Sequence, residues 1–235
     1  MKRTGRIGLT GFFVVGLIVT MFGCTNVDQT IVPPTDYHST VMFVDLANTG
    51  TSMAIKYDQT AVGTLNFGNH SASYASIPSG TRRMSFTYGA SLDTLNQGLS
   101  SNYQYSYFSI YEPLNGDVAR KYVLAGQAYT FGAAGVKDTA LVRFFNLSSD
   151  TVATFLTGFD FILADTLETD GVGYPGWTSY MKVRAGNNHY TVLIHATGDT
   201  LSGNATLSNL ASLGRYSVII YGNNASIQTL VLTEH

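Results

Sequence analysis

Apolar and polar residues alternate with period two along several short segments of the chain. Met84-Ser-Phe-Thr-Tyr88 is the clearest case, and residues 52–57 and 103–111 follow the same pattern. Such alternation is typical of a strand with one buried face. Beyond the N-terminal segment, no stretch holds a helical apolar period, and the apolar runs are separated by Gly, Pro and Asn. The pattern therefore predicts an all-β protein built from antiparallel sandwiches.

The chain also contains an internal repeat. Val41-Met-Phe-Val-Asp-Leu-Ala-Asn is matched by Val142-Arg-Phe-Phe-Asn-Leu-Ser-Ser. A later strand–turn–strand unit recurs, with Tyr74, Ile77 and Gly80 matched by Tyr180, Val183 and Gly186. We also match residues 216–221 to residues 129–134, and we expect residues 92–102 to form a long loop. The repeat predicts two Ig-like β-sandwich domains in tandem, residues 40–137 and residues 138–235.

The motifs that open and divide the second repeat are similar to those of a known family. Val142-Arg-Phe-Phe-Asn-Leu-Ser-Ser-Asp150 is close to the pattern Val-Arg-Val-x-Asn-x-Ser-Pro-Asp, with Ser149 in place of the Pro. Tyr180-Met-Lys-Val-Arg-Ala-Gly186 is similar to the middle turn of the same family, and Asp45 stands for the Asn in the first repeat. The chain thus resembles the domain-of-unknown-function family 4397 of bacterial secreted proteins and lipoproteins. The resemblance implies a β-sandwich per repeat and no activity, because the function of that family is not established.

Residues 1–23 have the pattern of a secretory signal peptide. Lys2, Arg3 and Arg6 precede an apolar segment, residues 7–22, that is shorter than the roughly 20 residues of a transmembrane helix. Gly23 and Cys24 follow, and the arrangement resembles a bacterial lipoprotein signal, in which the Cys becomes the lipidated first residue. An ordinary signal peptide, or an anchor helix with an unmodified Cys, is the alternative.

Cys24 is the only cysteine of the chain, at the one place where lipidation requires a thiol. Several acyl chains such as palmitate on this residue would give a stable membrane anchor, and we expect no cofactor besides this covalent lipid. Residues 24–39 include Pro33-Pro34 and are predicted to be an extended tether. Thr25 is not the Asp that retains enterobacterial lipoproteins in the inner membrane. By that analogy we expect an outer-membrane lipoprotein that faces the periplasm or the cell surface.

The charge of the chain argues against a nucleic-acid partner. The formal net charge is −2, and it falls to −5 once the three cations of the signal segment are removed. A nucleic-acid-binding domain would need a basic face. Charged residues make up only 12% of the chain, and with Cys24 lipidated no disulfide is available, so stability must come from apolar burial.

No catalytic or metal-binding motif stands out in the sequence. Ser91 in Gly89-Ala-Ser-Leu-Asp93 lacks the second Gly of a nucleophile elbow. The five His residues are scattered, without the spacing of a zinc site. Asp165, Glu168 and Asp170 lack the order of a calcium-binding loop. We therefore predict no catalytic residues and no metal site.

The best candidates for ligand or partner contact are aromatic. Trp177, the only Trp, lies in Gly173-Tyr-Pro-Gly-Trp177 and could stack on a sugar ring or close one end of a sandwich. Tyr103, Tyr105 and Tyr107 share one face of an extended segment. Tyrosines give a large contact area at low entropic cost, but such a row could equally be a cross-strand ladder that covers the sheet.

These observations predict a non-enzymatic, lipid-anchored protein of the cell envelope with two β-sandwich interaction modules. Its partners would be the membrane, reached through the lipid anchor, and a glycan or an envelope protein. The alternative is a carbohydrate-binding surface lipoprotein that uses Trp177 or the tyrosine row. A hydrolase with a dispersed site is a second alternative, which no motif favours.

Overall fold

The computed structural model describes residues 37–112, 119–128, 137–148, 158–164, 166–222 and 227–234. All regular elements among these residues are β-strands, as the alternation predicted. The strands of the first repeat are β1 His38–Asp45, β2 Met53–Tyr57, β3 Thr60–Leu65, β4 Asn69–His70, β5 Ala75–Pro78, β6 Gly80–Tyr88, β7 Ser91–Leu99, β8 Tyr103–Glu112 and β9 Ala119–Ala128. The strands of the second repeat are β10 Thr139–Ser148, β11 Phe159–Leu163, β12 Thr166–Val172, β13 Gly176–Trp177, β14 Met181–Arg184, β15 Gly186–Ile194, β16 Thr200–Leu210, β17 Arg215–Gly222 and β18 Gln228–Glu234.

The strands form four sheets, two for each repeat, with the same topology in both. In the first repeat, sheet A has the order β4-β1-β8-β9 with β5 also paired to β1, and sheet B has the order β3-β2-β6-β7. In the second repeat, sheet C has the order β13-β10-β17-β18 with β14 also paired to β10, and sheet D has the order β12-β11-β15-β16. Pairing is antiparallel except for β1 with β8 and β10 with β17, which are parallel. Each repeat is therefore a sandwich of two sheets.

The strand register confirms the matched residues of the turn unit. Ile77 pairs with Ser39 on β1, and Val183 pairs with Ala140 at the same place on β10. Gly80 and Gly186 follow at the bend into the next strand, with φ angles of 101° and 107°, which L side chains rarely adopt. The duplication seen in the sequence is thus a duplication of backbone geometry.

Among the described residues, three apolar cores lie between the four sheets. One core fills the space between sheets A and B, and another fills the space between sheets C and D. The third core lies between sheets A and C, and both repeats contribute to it. Neighbouring residues show the alternation: Phe43 belongs to the A–B core, whereas Met42 and Val44 belong to the A–C core. The order of the layers is therefore B, A, C and D.

Sheets A and C are buried on both faces, which explains the composition of their central strands. The burial pattern of β10 shows one half-buried residue followed by nine buried ones. Strands that lack a solvent face read as continuous apolar runs, whereas β6, on an outer sheet, alternates. Residues 37–235 form one compact unit by contact, and the boundary between residues 137 and 138 stays a prediction. The predicted tether 24–39 extends two residues too far, because His38 and Ser39 already belong to β1.

Two expectations about the strands were wrong. Residues 92–102 are not a long loop, because β7 pairs with β6 along nine successive residues from Ser91 to Leu99. Its inward residues Asp93 and Gln97 are polar, which hid the alternation. The counterpart of residues 216–221 is in β8, since Tyr105 and Tyr216 hold equivalent places opposite Val41 and Val142. The predicted counterpart, residues 129–134, lies outside the described residues.

Tyr105 and Tyr216 have the same hydrogen bond as well as the same place. The hydroxyl of Tyr105 accepts a bond from the Ser100 backbone N–H at 2.9 Å, and that of Tyr216 accepts one from the Ala211 N–H at 2.7 Å. In both repeats the bond reaches five residues back. This arrangement is the tyrosine corner of Ig-like sandwiches, which ties the loop before the strand to the sheet.

Candidate interaction site

The predicted contact residues have different environments in the structure. Tyr105 and Tyr107 are buried, and both belong to the core between sheets A and B. The tyrosine row is therefore not an exposed surface, because sheet B covers this face of β8. Tyr103 at the strand end keeps 37% of its surface exposed, and Trp177 keeps 44%. Cys24 lies outside the described residues.

Trp177 is an exposed residue on the edge of sheet C. It belongs to β13, a two-residue strand that pairs with β10 so that Trp177 lies opposite Phe145. The two ring centroids are 5.8 Å apart. Phe145 is buried in the A–C core, so the indole rests on the rim of that core while part of it faces solvent. The ring is thus held by packing and available for contact.

Tyr103 is the second exposed aromatic residue among those predicted. Its ring stacks on Tyr105 with a centroid distance of 5.8 Å and an interplanar angle of 25°. Because Tyr105 is fixed by its bond to the Ser100 N–H, the stack restricts Tyr103 as well. Exposed aromatic rings held in one orientation lose little entropy on binding.

A buried ion pair lies between the two inner sheets. Arg143 of β10 donates from Nη2 to Glu234 Oε1 of β18 at 2.6 Å, and the two side chains are 4% and 1% exposed. Arg143 also donates from Nε to Ser217 Oγ at 2.8 Å, and Ser217 donates to Glu234 Oε1 at 2.5 Å. The Arg143 guanidinium lies over the rings of Phe145 and Tyr180, at 4.7 and 4.8 Å from their centroids.

The same carboxylate links the second repeat to the first. Gln127 of β9 donates to Glu234 Oε2 at 3.3 Å, and Ser106 of β8 donates to Oε1 at 3.4 Å. The Tyr180 hydroxyl also donates to Glu234. Burial alone would raise the pKa of Glu234, but the Arg143 charge and the bonds from Ser217 and Tyr180 outweigh it and hold that pKa below its ordinary value. Glu234 is therefore ionised and joins the two sandwiches.

Sequence reasoning missed this network, although one signal was visible. Arg143 interrupts an otherwise apolar run in β10, and a charge inside a buried strand requires a buried partner. The partner Glu234 is 91 residues away in the sequence, so no local pattern identifies it.

The remaining titratable groups form small clusters. His195 Nδ1 lies 2.8 Å from Asp160 Oδ1 in a partly exposed pair on sheet D. Ser91 begins β7 and is exposed. In the part of the chain that the structure describes, no group of three or more His, Cys, Asp or Glu is placed to hold a metal ion. Over the same residues, no helix has the length and hydropathy needed to cross a membrane.

A further polar cluster lies at the open edge of the first sandwich. The Arg120 guanidinium of β9 is centred 4.2 Å over the ring of Tyr88, and its Nη1 lies 3.5 Å from Asp93 Oδ2 of β7. The Tyr122 hydroxyl donates to the same Asp93 oxygen at 2.7 Å. Behind them, the fully buried Asp45 accepts a bond from Ser109 Oγ at 2.6 Å, and burial raises the pKa of this carboxyl.

Comparison with known proteins leaves the family of this chain open. No family model matches the chain and no curated protein matches it, so the resemblance to family 4397 is not confirmed. One similar solved structure is a "putative cell adhesion protein" from Bacteroides uniformis. It is 9% identical, with a TM-score of 0.30 over 84% of this chain and 98% of the other.

Proposed function

We propose that this protein is a non-enzymatic, lipid-anchored component of the cell envelope that acts by surface contact. The observation that carries the proposal is the joining of its two sandwiches through the A–C core and the Glu234 network. Two modules packed in this way form one compact unit rather than two separate domains joined by a linker. Such a body binds a partner without first ordering itself, which lowers the entropic cost of contact.

The polar chemistry of the structure supports the same proposal. The buried pair of Arg143 and Glu234 is satisfied internally and serves to join strands. The outward residues of β6 are Thr81, Arg83, Ser85 and Thr87, which form a hydroxyl-rich face. A protein that acts by contact needs stable packing and such presented faces, and it needs no reactive group.

The lack of turnover is tested with a panel of hydrolase substrates. We expect no activity above that of a heat-denatured sample. Turnover that disappears on substitution of a single Asp, Ser or His would overturn the non-enzymatic proposal.

The membrane anchor rests on the sequence around Cys24. We expect cleavage before Cys24 and acyl chains on its sulfur and amino groups, with the folded body held off an outer-membrane surface by the tether. The test is the intact mass of the membrane-extracted protein beside a Cys24→Ala variant, together with protease treatment of whole cells. A mass without acyl chains would overturn the anchor. Removal of the domains by protease would indicate the cell surface, and protection would indicate the periplasm.

A second candidate function is carbohydrate binding at the exposed aromatic rings. The observation that favours it is Trp177, which is 44% exposed and supported from behind by Phe145. Such a ring can stack on the apolar face of a sugar. A sugar site at this ring requires glycan-array binding that is lost in Trp177→Ala and kept in Tyr57→Ala, a partly exposed Tyr on β2. Binding that is unchanged in Trp177→Ala and in Tyr103→Ala would exclude these rings.

A further inference from the structure

The two repeats show one fold with two different sets of side chains. Tyr122 lies opposite Ser109 in the first repeat, and Thr229 lies opposite Ile220 at the same place in the second. Two residues earlier on each strand, Arg120 corresponds to Ile227. A position that is polar in one repeat and apolar in the other is not dictated by the fold.

The other residues of this cluster also differ between the repeats. Asp93 lies opposite Phe86 on β6, whereas Ser202 lies opposite Val192 on β15. Tyr88, beneath the Arg120 guanidinium, corresponds to Ile194 by the equivalence of Gly80 with Gly186. In the second repeat, Ile194, Ile220 and Ile227 all pack on the C–D core. The second repeat therefore folds without a guanidinium or a carboxylate at these positions, so the sandwich itself does not require the pair of Arg120 and Asp93.

This cluster opens into a groove between the edges of β7 and β9. The groove has a volume of about 660 Å³, and its lining includes Leu92, Asp93, Leu95, Arg120, Lys121 and Tyr122. Ligand pockets in proteins commonly have volumes of roughly 300–1,000 Å³, with apolar walls and a few convergent polar groups. Leu92 is 62% exposed at its rim. The groove thus has the size and the mixed lining of a small-ligand site.

The polar groups in the groove are arranged for a ligand that both donates and accepts hydrogen bonds. The Arg120 Nη1 atom is buried and has no hydrogen bond among the described residues, although Asp93 Oδ2 lies 3.5 Å away. That separation is longer than a direct N–H···O bond. A hydroxyl group can accept from the guanidinium and donate to the carboxylate at once, whereas a carboxylate or an ammonium ion can do only one of these.

We infer that the groove between β7 and β9 binds a neutral saccharide through Arg120 and Asp93. Hydroxyl groups of the sugar bond to the paired guanidinium and carboxylate, and its C–H face lies against Leu92 and Leu95. An anionic ligand would have to displace Asp93 from Arg120, so the ion pair disfavours the binding of anionic ligands. The inference goes beyond surface contact in general and is independent of Trp177, which lies in the second repeat.

The test uses variants that the chain itself suggests. Arg120→Ile and Asp93→Ser introduce the residues found at the equivalent positions of the second repeat, where the same backbone arrangement accommodates them. The full chain is extracted in detergent and applied to an array of neutral and uronic-acid oligosaccharides. Binding of the best neutral probe is then measured by calorimetry. We expect each variant to weaken binding roughly tenfold or more, because each removes hydrogen bonds to a charged group.

The control is Arg83→Ile, which removes an exposed cation of β6 outside the groove. We expect this variant to bind like the wild type, with melting curves that show all variants folded. Should Arg120→Ile fail to fold, the affinity of Asp93→Ser for the neutral probe tests the inference by itself. A blank array, preference for the uronic acids, or neutral-probe binding that survives both groove variants would each overturn the inference. Binding lost only in Trp177→Ala would move the sugar site to the second repeat.

Discussion

Replacing Glu234 by Gln should destabilise the whole two-repeat body. The substitution keeps the size of the side chain but leaves the Arg143 guanidinium, 4% exposed, without its counter-charge. Breaking a buried pair by removing one partner costs about 3–5 kcal/mol, a large part of the roughly 5–15 kcal/mol that stabilises a typical domain. Because the carboxylate also accepts bonds from Ser217 and Gln127, the loss affects both repeats.

The assay is urea unfolding of the wild type, Glu234→Gln, Arg143→Met and the double variant. We expect each single variant to lower the free energy of unfolding by about 3–5 kcal/mol. The double variant should lose much less than the sum of the two single losses, because no unpaired charge remains buried. Asp58→Asn, which removes the exposed partner of Arg82, is the matched control and should shift the midpoint little. Additive losses in the double variant would refute the role of the pair.

The pH dependence gives a second check on the same residue. The pKa of Glu234 in the folded protein is below its ordinary value of 4.5, so the unfolded chain binds the proton more readily. The stability from this carboxylate is therefore complete above about pH 4.5 and is lost as the pH falls through the folded pKa. The gap between wild type and Glu234→Gln should narrow below that pH. A gap that widens on acidification would contradict the assignment.

Three further predictions concern single residues. Tyr105→Phe and Tyr216→Phe each leave a backbone N–H without its acceptor. Each should lower the free energy of unfolding, measured in urea, by about 1–3 kcal/mol, and stability equal to that of the wild type would exclude the corner bond. Gly158→Ala places a Cβ atom 2.3 Å from the Val172 carbonyl oxygen at a φ of 81°, and a clear drop in melting temperature should follow; an unchanged melting curve would refute that close packing. Trp177→Ala should change stability by less than about 1 kcal/mol, since nearly half of the side chain is exposed at the rim of the core, and a larger loss would mean that it closes the core.

Much of the fold followed from local rules. Period-two alternation in β6 identified a half-buried strand, and the matched Gly80 and Gly186 identified the same turn in both repeats. The same rule wrongly predicted a loop in place of β7, because the inward residues of this strand include Asp93 and Gln97. A polar residue that faces a neighbour across a sandwich looks like a loop residue until the neighbour is known.

For the candidate sites too, local rules predicted the strand positions, whereas burial depended on distant parts of the chain. The sequence placed Tyr103, Tyr105 and Tyr107 on one face of a strand, because side chains alternate along any strand. Which face is covered depends on another sheet, and sheet B buries Tyr105 and Tyr107. The pairing of Arg120 with Asp93 was likewise invisible, since β7 and β9 belong to different sheets.

The sequence by itself determined the strand class and the duplication, because these depend on local periodicity and on short motifs, and it predicts a lipid anchor at Cys24. Only the tertiary structure decided that the inner sheets A and C pack face to face. That contact joins residues far apart in the chain, such as Gln127 and Glu234. Its free energy comes from the apolar side chains that are buried between the two sheets. No local pattern encodes the partner of a buried charge, so the link between the repeats became visible only in three dimensions.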